Sequence, residues 1–137
     1  MATSFNIELA DLSLLISLPR TPISVKWMKN PVSQHTTDAA LTILLKFSEE
    51  DYRYVVQNST AFETKSDEIL EQDTYDTWIA PLNIESITAQ PQGEYVALSN
   101  VSSMAPNLFT QAKKSPFIHG RLVALGDGFV FLSLYSM

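Results

Sequence analysis

The chain contains no cysteine and only two histidines among its 137 residues. Without cysteine, disulfides, thiolate metal sites and cysteine nucleophiles are all excluded. The same absence fits a reducing compartment, so we expect a cytoplasmic protein. The histidines, His35 and His119, belong to neither an H-x-x-H nor an H-E-x-x-H pattern. We therefore expect no metal site and no cofactor.

Long hydrophobic runs are also missing. The longest apolar stretch, residues 12–18, is far shorter than the ~20 residues that a bilayer-spanning helix needs. It does not resemble a secretory signal, because Glu8 and Asp11 stand where positive charge belongs and Pro19 follows where small residues belong. We expect no contact with membranes, and the length predicts a single domain over residues 1–137.

Motifs of catalysis are absent too. No G-x-S-x-G turn is present to expose a serine nucleophile. Gly126-Asp127-Gly128 is neither a dinucleotide-binding fingerprint nor a P-loop, and it stands between two strand-like segments. The sequence thus predicts no catalytic residue, and we expect a protein that is not an enzyme.

The composition that is present is typical of a folded globular protein, with 45% hydrophobic and 18% charged residues. Residues 23–28 and 41–47 read as strands, the second with apolar residues at alternate positions. Ser48 followed by three acids predicts the start of a helix that ends near Asn58. The N-terminal residues 5–18 fit a strand or a loose helix equally well, and that choice stays open.

The middle of the chain is harder to interpret. Ser66, followed by Asp67 and Glu68, predicts a second helix, which is either short or exposed on much of its circumference. Residues 84–88 and 94–99 read as two strands around a turn at Pro91-Gln92-Gly93. Pro106 predicts a third helix with Leu108, Phe109 and Ala112 on its buried side, stopped by Pro116.

Residues 121–135 give the strongest local pattern. Two apolar strands flank the glycine-rich turn at residues 126–128, which is typical of a β-hairpin. Both faces of the second strand, residues 129–135, are apolar, which predicts a strand buried on both sides. The order of elements predicts an α+β fold, with an antiparallel sheet of about five strands, two or three short helices and a C-terminal hairpin.

Charge is distributed unevenly along the chain. Residues 49–76 hold nine acids and two bases, a net charge of −7, whereas the whole chain has a net charge of −6. This acidity argues against direct binding of nucleic acid, which requires basic surface. It points instead to a cationic protein partner, with a solvated helix face as the plainer interpretation.

We therefore expect the acidic surface to be the functional one. The acids would dock on a basic cleft and block it, as an immunity-type or phage-type inhibitor does, and two aromatic residues would act as apolar anchors. The predicted partner-binding residues are Glu68, Glu71, Asp73, Tyr75, Asp76 and Trp78.

Two other interpretations belong to different classes of protein. One is a small-ligand pocket or enzyme site between the sheet and the helices, lined by Trp27, Phe131 and Tyr135. The other is a homo-oligomeric structural component, a homodimer or a larger assembly, that associates through the apolar terminal hairpin.

Overall fold

The computed structural model describes residues 12–13, 15–31, 39–59, 68–99, 101–110 and 119–135. Eight strands and two α-helices are found there, in two antiparallel sheets. The strands are β1 (Ser24–Pro31), β2 (Ala39–Lys46), β3 (Glu68–Glu71), β4 (Thr88–Gln92), β5 (Tyr95–Ser99), β6 (Ser102–Met104), β7 (His119–Gly126) and β8 (Phe129–Tyr135). The helices are α1 (Glu49–Asn58) and the short α2 (Gln72–Thr74), which continues as a π-helix (Tyr75–Ile79) and a 3₁₀-helix (Ala80–Leu82).

The larger sheet, called the main sheet, has the strand order β1-β2-β8-β7-β6. The small sheet has the order β3-β5-β4. The α+β class, the antiparallel five-stranded sheet and the terminal hairpin are as predicted from the sequence. The small sheet was not predicted.

Strand β8 is the centre of the main sheet, paired with β2 on one side and β7 on the other. Its alternate residues enter two separate cores, as the apolar character of both faces predicted. Val130, Leu132 and Leu134 belong to the first core, and Phe131 belongs to the second. Burial on both faces is therefore confirmed.

The first core lies between the main sheet and α1. Strand β2 contributes Leu41, Ile43 and Leu45, which share one face as predicted. Helix α1 contributes the fully buried Val55, with Tyr52 and Val56 packed beside it. The same core also receives Leu12, Ile16, Trp27, Phe47, Met104, Phe109, Leu122 and Ala124.

The second core lies between the opposite face of the main sheet and a cover made by the small sheet and residues 72–84. Leu70, Val96 and Leu98 enter it from the small sheet, and Trp78 and Ile79 enter it from the π-helix. The main sheet contributes Leu44, Val123, Leu125 and Phe131. The small sheet and its helical segment are therefore held to the main sheet by apolar burial.

Helix α1 begins where the sequence predicted. The Ser48 side chain accepts a hydrogen bond from the Asp51 backbone N–H at 3.3 Å, which satisfies one of the unpaired donors of the first turn. The helix ends at Ser59, whose hydroxyl and backbone N–H both donate to the Val55 carbonyl oxygen.

The predicted helix opening at Asp67 and Glu68 is wrong in its described part. Glu68 begins a strand, because Leu70 is buried while its neighbours Ile69 and Glu71 are exposed, which is the alternation of a strand rather than of a helix. Helical structure starts only at Gln72. Ser66 and Asp67 lie outside the described residues.

Other boundaries also shift. Residues 84–87 are not a strand: Ile84 is buried in a loop, and β4 takes in the predicted turn residues Pro91 and Gln92. Proline is tolerated there because β4 is an edge strand. Of the three predicted turn residues only Gly93, whose φ is +69°, lies in the turn, which it forms with Glu94.

Residues after Pro106 form a turn in their described part, closed by a hydrogen bond from the Phe109 N–H to the Pro106 carbonyl oxygen. The rest of that predicted helix, including Ala112 and Pro116, lies outside the described residues. Most of the ambiguous N-terminal segment lies outside them as well. Residues 12 and 16 are buried, and their backbones are joined by a hydrogen bond.

Candidate functional site

Residues 68–99, called the acidic unit below, carry negative charge and no positive side chain. They form the small sheet and the helical segment that covers the second core. Their acids are Glu68, Glu71, Asp73, Asp76, Glu85 and Glu94, and no lysine, arginine or histidine occurs among them. Six negative charges on one structural unit equal the net charge of the whole chain, −6. The remaining acids and bases cancel.

Three of the predicted partner-binding acids are near one another in the sequence and exposed to solvent. Glu71 ends β3, Asp73 lies in α2 and Asp76 lies in the π-helix, and all three are exposed. The side chain of Gln72 donates to Asp76 Oδ1 at 2.9 Å, and its backbone N–H donates to the Glu94 carbonyl oxygen. Gln72 thereby ties the helical segment to the turn between β4 and β5.

Glu71, Asp73 and Asp76 form no ion pair within the part of the chain that the structure describes. The ion pairs there, Arg20 with Asp51 and Arg53 with Glu49, both involve helix α1. No basic side chain of the described residues therefore offsets these three acids at the surface. Charges of one sign on one side of a small protein produce a field that attracts a basic partner and repels an acidic one.

Trp78 does not lie on the acidic surface. Its side chain is 6% exposed and packs in the second core against Phe131, with ring centroids 6.1 Å apart. It is therefore a core residue, and the expected exposed anchor at this position is not formed. Tyr75 is half-buried and packs against the same core. Glu68 lies in β3, beside Leu98 of β5 in the register.

Two exposed apolar side chains outside the predicted set lie in the small sheet, next to the predicted acid Glu71. Ile69 is 50% exposed and Tyr95 is 48% exposed. Both point away from the second core, because their neighbours Leu70 and Val96 point into it. Strand alternation in the predicted strand 94–99 already places Tyr95 on the face opposite Val96, and it would have identified Ile69 had β3 been recognised as a strand.

These residues form rows on the outer face of the small sheet. Glu71 pairs in register with Tyr95, and Tyr95 with Gln92. In the next row, Ile69 pairs with Ala97. An apolar position thus adjoins an acidic one both along β3 and across to β5. A hollow of about 480 Å³ opens beside this face, lined by Glu71, Gln72, Asp73, Gly93, Glu94 and Tyr95.

A separate cavity of about 850 Å³, called the α1 groove, lies between α1 and the β7–β8 turn. Its lining includes the 66% exposed Ile23 together with Lys46, Tyr52, Val56 and Asp127. Burial raises the pKa of the Tyr52 hydroxyl, and the nearby Asp127 charge adds to that rise. The hydroxyl accepts a hydrogen bond from the Gly126 N–H at 3.0 Å, which opposes the rise in pKa.

The pocket expected around Trp27, Phe131 and Tyr135 is not formed. Trp27 lies in the first core and Phe131 in the second, on opposite faces of the main sheet. Tyr135 is 42% exposed. The terminal hairpin likewise offers no broad apolar face for association, because residues 122–125, 130–132 and 134 are all buried.

Metal-binding geometry is not formed over the described ranges, where no group of three histidine, aspartate or glutamate side chains is placed to hold an ion. His35 lies outside those ranges. No helix in the described part of the chain has the length and apolar character required to cross a bilayer.

Comparisons with protein-family models, with curated proteins and with solved structures found no match to this chain.

Proposed function

We propose that this chain is a non-enzymatic binding protein that docks the acidic unit on the basic surface of a protein partner. The observation that carries the proposal is the concentration of six acids and no base on residues 68–99. Five of those acids are exposed and in no ion pair in the described structure: Glu71, Asp73, Asp76, Glu85 and Glu94. A cationic cleft would be steered onto this face and then covered by it. This is the action of an immunity-type or phage-type inhibitor, placed here in the cytoplasm.

The construction of the acidic unit supports stoichiometric contact. It is held to the main sheet through the second core, so the acids are carried on packed secondary structure and not on an extended tail. A surface positioned in advance loses less conformational entropy when it binds. Glu71, Asp73 and Asp76 would supply the charge, with Tyr75 at their edge.

The test is affinity capture from the source lysate at low and high salt. We expect a partner held at low salt to be released at high salt, because exposed charges are screened. The variant Glu71→Gln/Asp73→Asn/Asp76→Asn should lose it. All three side chains are exposed, so the variant should stay folded.

A matched control removes the same number of negative charges from a surface outside the acidic unit. Glu49→Gln/Glu50→Gln/Asp127→Asn neutralises three exposed acids near α1 and the hairpin turn, outside the acidic unit. This control should retain the partner. Equal capture by all three proteins, or loss of the partner with the control as much as with the acidic-unit variant, would contradict the proposal.

A second candidate function is small-ligand binding in the α1 groove. The groove's volume, about 850 Å³, lies within the range of ordinary ligand pockets, and its lining combines Ile23 and Val56 with the polar groups of Lys46 and Tyr52. Thermal-shift screening of a metabolite library against the parent and Val56→Trp would test it. Stabilisation by one compound that is lost in Val56→Trp supports this function, and an absence of any stabilising compound contradicts it.

A further inference from the structure

The outer face of the small sheet is a surface without a packed partner in the described structure. It presents Ile69 and Tyr95, each about half exposed, beside Glu71 in β3 and Glu94 in the turn. An antiparallel sheet commonly packs one face on a core and exposes the other face to solvent. The inner face of the small sheet is buried in the second core. The outer face is the one with apolar side chains left in solvent.

We propose that this outer sheet face, and not Trp78, supplies the apolar contacts of the docking surface, and that its occupant is a basic segment of a protein partner in which arginine and large apolar residues follow one another at every second position. The inference rests on the proposed function and adds to it the place of contact and the chemistry of the partner. Ile69 and Tyr95 would receive the apolar side chains, and Glu71, Asp73 and Glu94 the basic ones.

Charge complementarity identifies the occupant. The acidic unit holds no positive side chain, so nothing within it competes for Glu71 or Glu94. An acidic partner, or a second copy of this acidic unit, would place like charges opposite one another, which costs binding energy. A purely apolar partner would leave these carboxylates desolvated and unpaired.

Spacing refines the choice. Ile69 and Glu71 are two residues apart on one strand face, a separation of roughly 7 Å at the usual rise per residue. Tyr95 lies directly across from Glu71 in the register. Glu71 therefore has an apolar neighbour on the same face both along β3, at Ile69, and across to β5, at Tyr95. Successive side chains of an extended partner point to opposite sides, so a segment that carries apolar and basic residues in turn at every second position matches that pattern.

Arginine suits this face better than lysine. The exposed ring of Tyr95 has the carboxylates of Glu71 and Glu94 around it, and all three line the same hollow. A guanidinium can stack flat on an aromatic ring while it forms paired hydrogen bonds to a carboxylate, whereas an ammonium has no planar fork for such a pair. The hollow, at about 480 Å³, is open enough to admit such a group.

The experiment titrates the isotope-labelled full chain with synthetic peptides and follows backbone amide shifts. All three peptides carry serine at every odd position. At the even positions, one peptide carries arginine and leucine in turn, a second carries arginine and serine in turn, and a third carries glutamate and leucine in turn. We expect the first to bind most tightly, with the largest shifts at Ile69, Glu71 and Tyr95. The third should not bind, because its charge is repelled.

Variants locate the contact. Ile69→Ser/Tyr95→Ser should weaken binding of the arginine–leucine peptide by at least about tenfold, since two anchors are removed. Ile23→Ser is the matched control, because Ile23 is more exposed, at 66%, and lines the α1 groove instead. The control should bind as the parent does.

The outcomes separate the two proposals. Charge-dependent binding that Ile69→Ser/Tyr95→Ser leaves unchanged, or shifts concentrated on edge strand β4, would overturn this inference while leaving the proposed function standing. If Ile23→Ser weakened peptide binding as much as Ile69→Ser/Tyr95→Ser does, the apolar contact would be non-specific and this inference would be overturned. Equal binding by the parent and Glu71→Gln/Asp73→Asn/Asp76→Asn would overturn both.

Discussion

Lys26 of β1 lies against Trp78 of the π-helix, with its Nζ 5.1 Å from the centroid of the indole ring. The same ammonium donates to the Thr77 carbonyl oxygen at 3.3 Å. Burial lowers the pKa of this lysine. The contact joins the edge strand of the main sheet to the acidic unit, and it explains how a tryptophan in a highly charged segment comes to be enclosed.

Replacing Trp78 should therefore affect stability more than recognition. We expect Trp78→Ala to lower the free energy of unfolding by about 3–5 kcal/mol, because it leaves a cavity beside Phe131 in the second core. Denaturant titration measures the loss, and Trp78→Phe should recover part of it. A stable Trp78→Ala protein that no longer captures a partner would instead restore Trp78 as a binding anchor.

Two glycines with positive φ offer a matched pair. Gly128 (φ +85°) follows Asp127 in the β7–β8 turn, and a Cβ there would collide with the Phe47 carbonyl oxygen. A Cβ at Gly93 (φ +69°) would meet no atom within 4 Å beyond its chain neighbours. We expect Gly93→Ala to cost about 1 kcal/mol from backbone conformation alone.

Gly128→Ala should cost clearly more than Gly93→Ala, because the backbone of Phe47 is held in place. The Phe47 N–H donates to the Gly128 carbonyl oxygen at 2.8 Å, so residue 47 cannot withdraw from a new methyl group without losing that hydrogen bond. Thermal unfolding of the two variants side by side gives the comparison. Equal melting temperatures would show that the turn and residue 47 relax together.

Tyr52 should make stability fall in alkaline solution. Because the folded-state pKa of its hydroxyl is raised, its contribution is complete below the unfolded pKa near 10.0 and is lost as pH rises through the folded pKa. Tyr52→Phe should remove this part of the pH dependence. It should also cost about 1 kcal/mol at neutral pH, because the Gly126 N–H loses its acceptor.

The measurement is the free energy of unfolding of the parent and Tyr52→Phe at several pH values from neutral to alkaline, with tyrosinate absorbance recorded in parallel. Tyr54→Phe, on the same helix, is the control. A parallel pH dependence in the parent and Tyr52→Phe would contradict the assignment.

The cap of α1 gives a simpler expectation. Ser48→Ala should destabilise the protein by about 1 kcal/mol, because the Asp51 N–H loses its side-chain acceptor. Ser48→Asp keeps an acceptor and should be close to the parent in denaturant titration. A similar loss in both variants would mean that the hydroxyl itself, and not its acceptor role, is required.

The parts of the fold that follow local rules could be predicted from the sequence. Helix α1 carries its own cap at Ser48 and an apolar side formed by Tyr52 and Val55. The hairpin carries its own turn, in which Asp127 and Gly128 both take positive φ. In each case neighbours in the chain determine the structure, so no distant partner has to be known.

The rest depended on distant contacts. Strand β3 is four residues long, and Leu70 is buried because Val96 and its sheet lie beside it. The acids at its start imitate the first turn of a helix, so the local pattern favours the wrong element. The local sequence also cannot show that Phe131 and Lys26 enclose Trp78. The acidic character of the region could be predicted from the sequence, but the pairing of β3 with β5, which brings Ile69 and Tyr95 to one face, could not.

The position of β8 between both cores has a consequence for synthesis on the ribosome. Strand β2 pairs with β8 from Ala40↔Tyr135 to Lys46↔Phe129, so the centre of the main sheet joins segments far apart in the chain. Neither core can close until residues 129–135 have left the exit tunnel. Strand β2 therefore emerges well before β8, and its edge that faces β8 stays unpaired over that interval, in which an apolar strand is prone to aggregate.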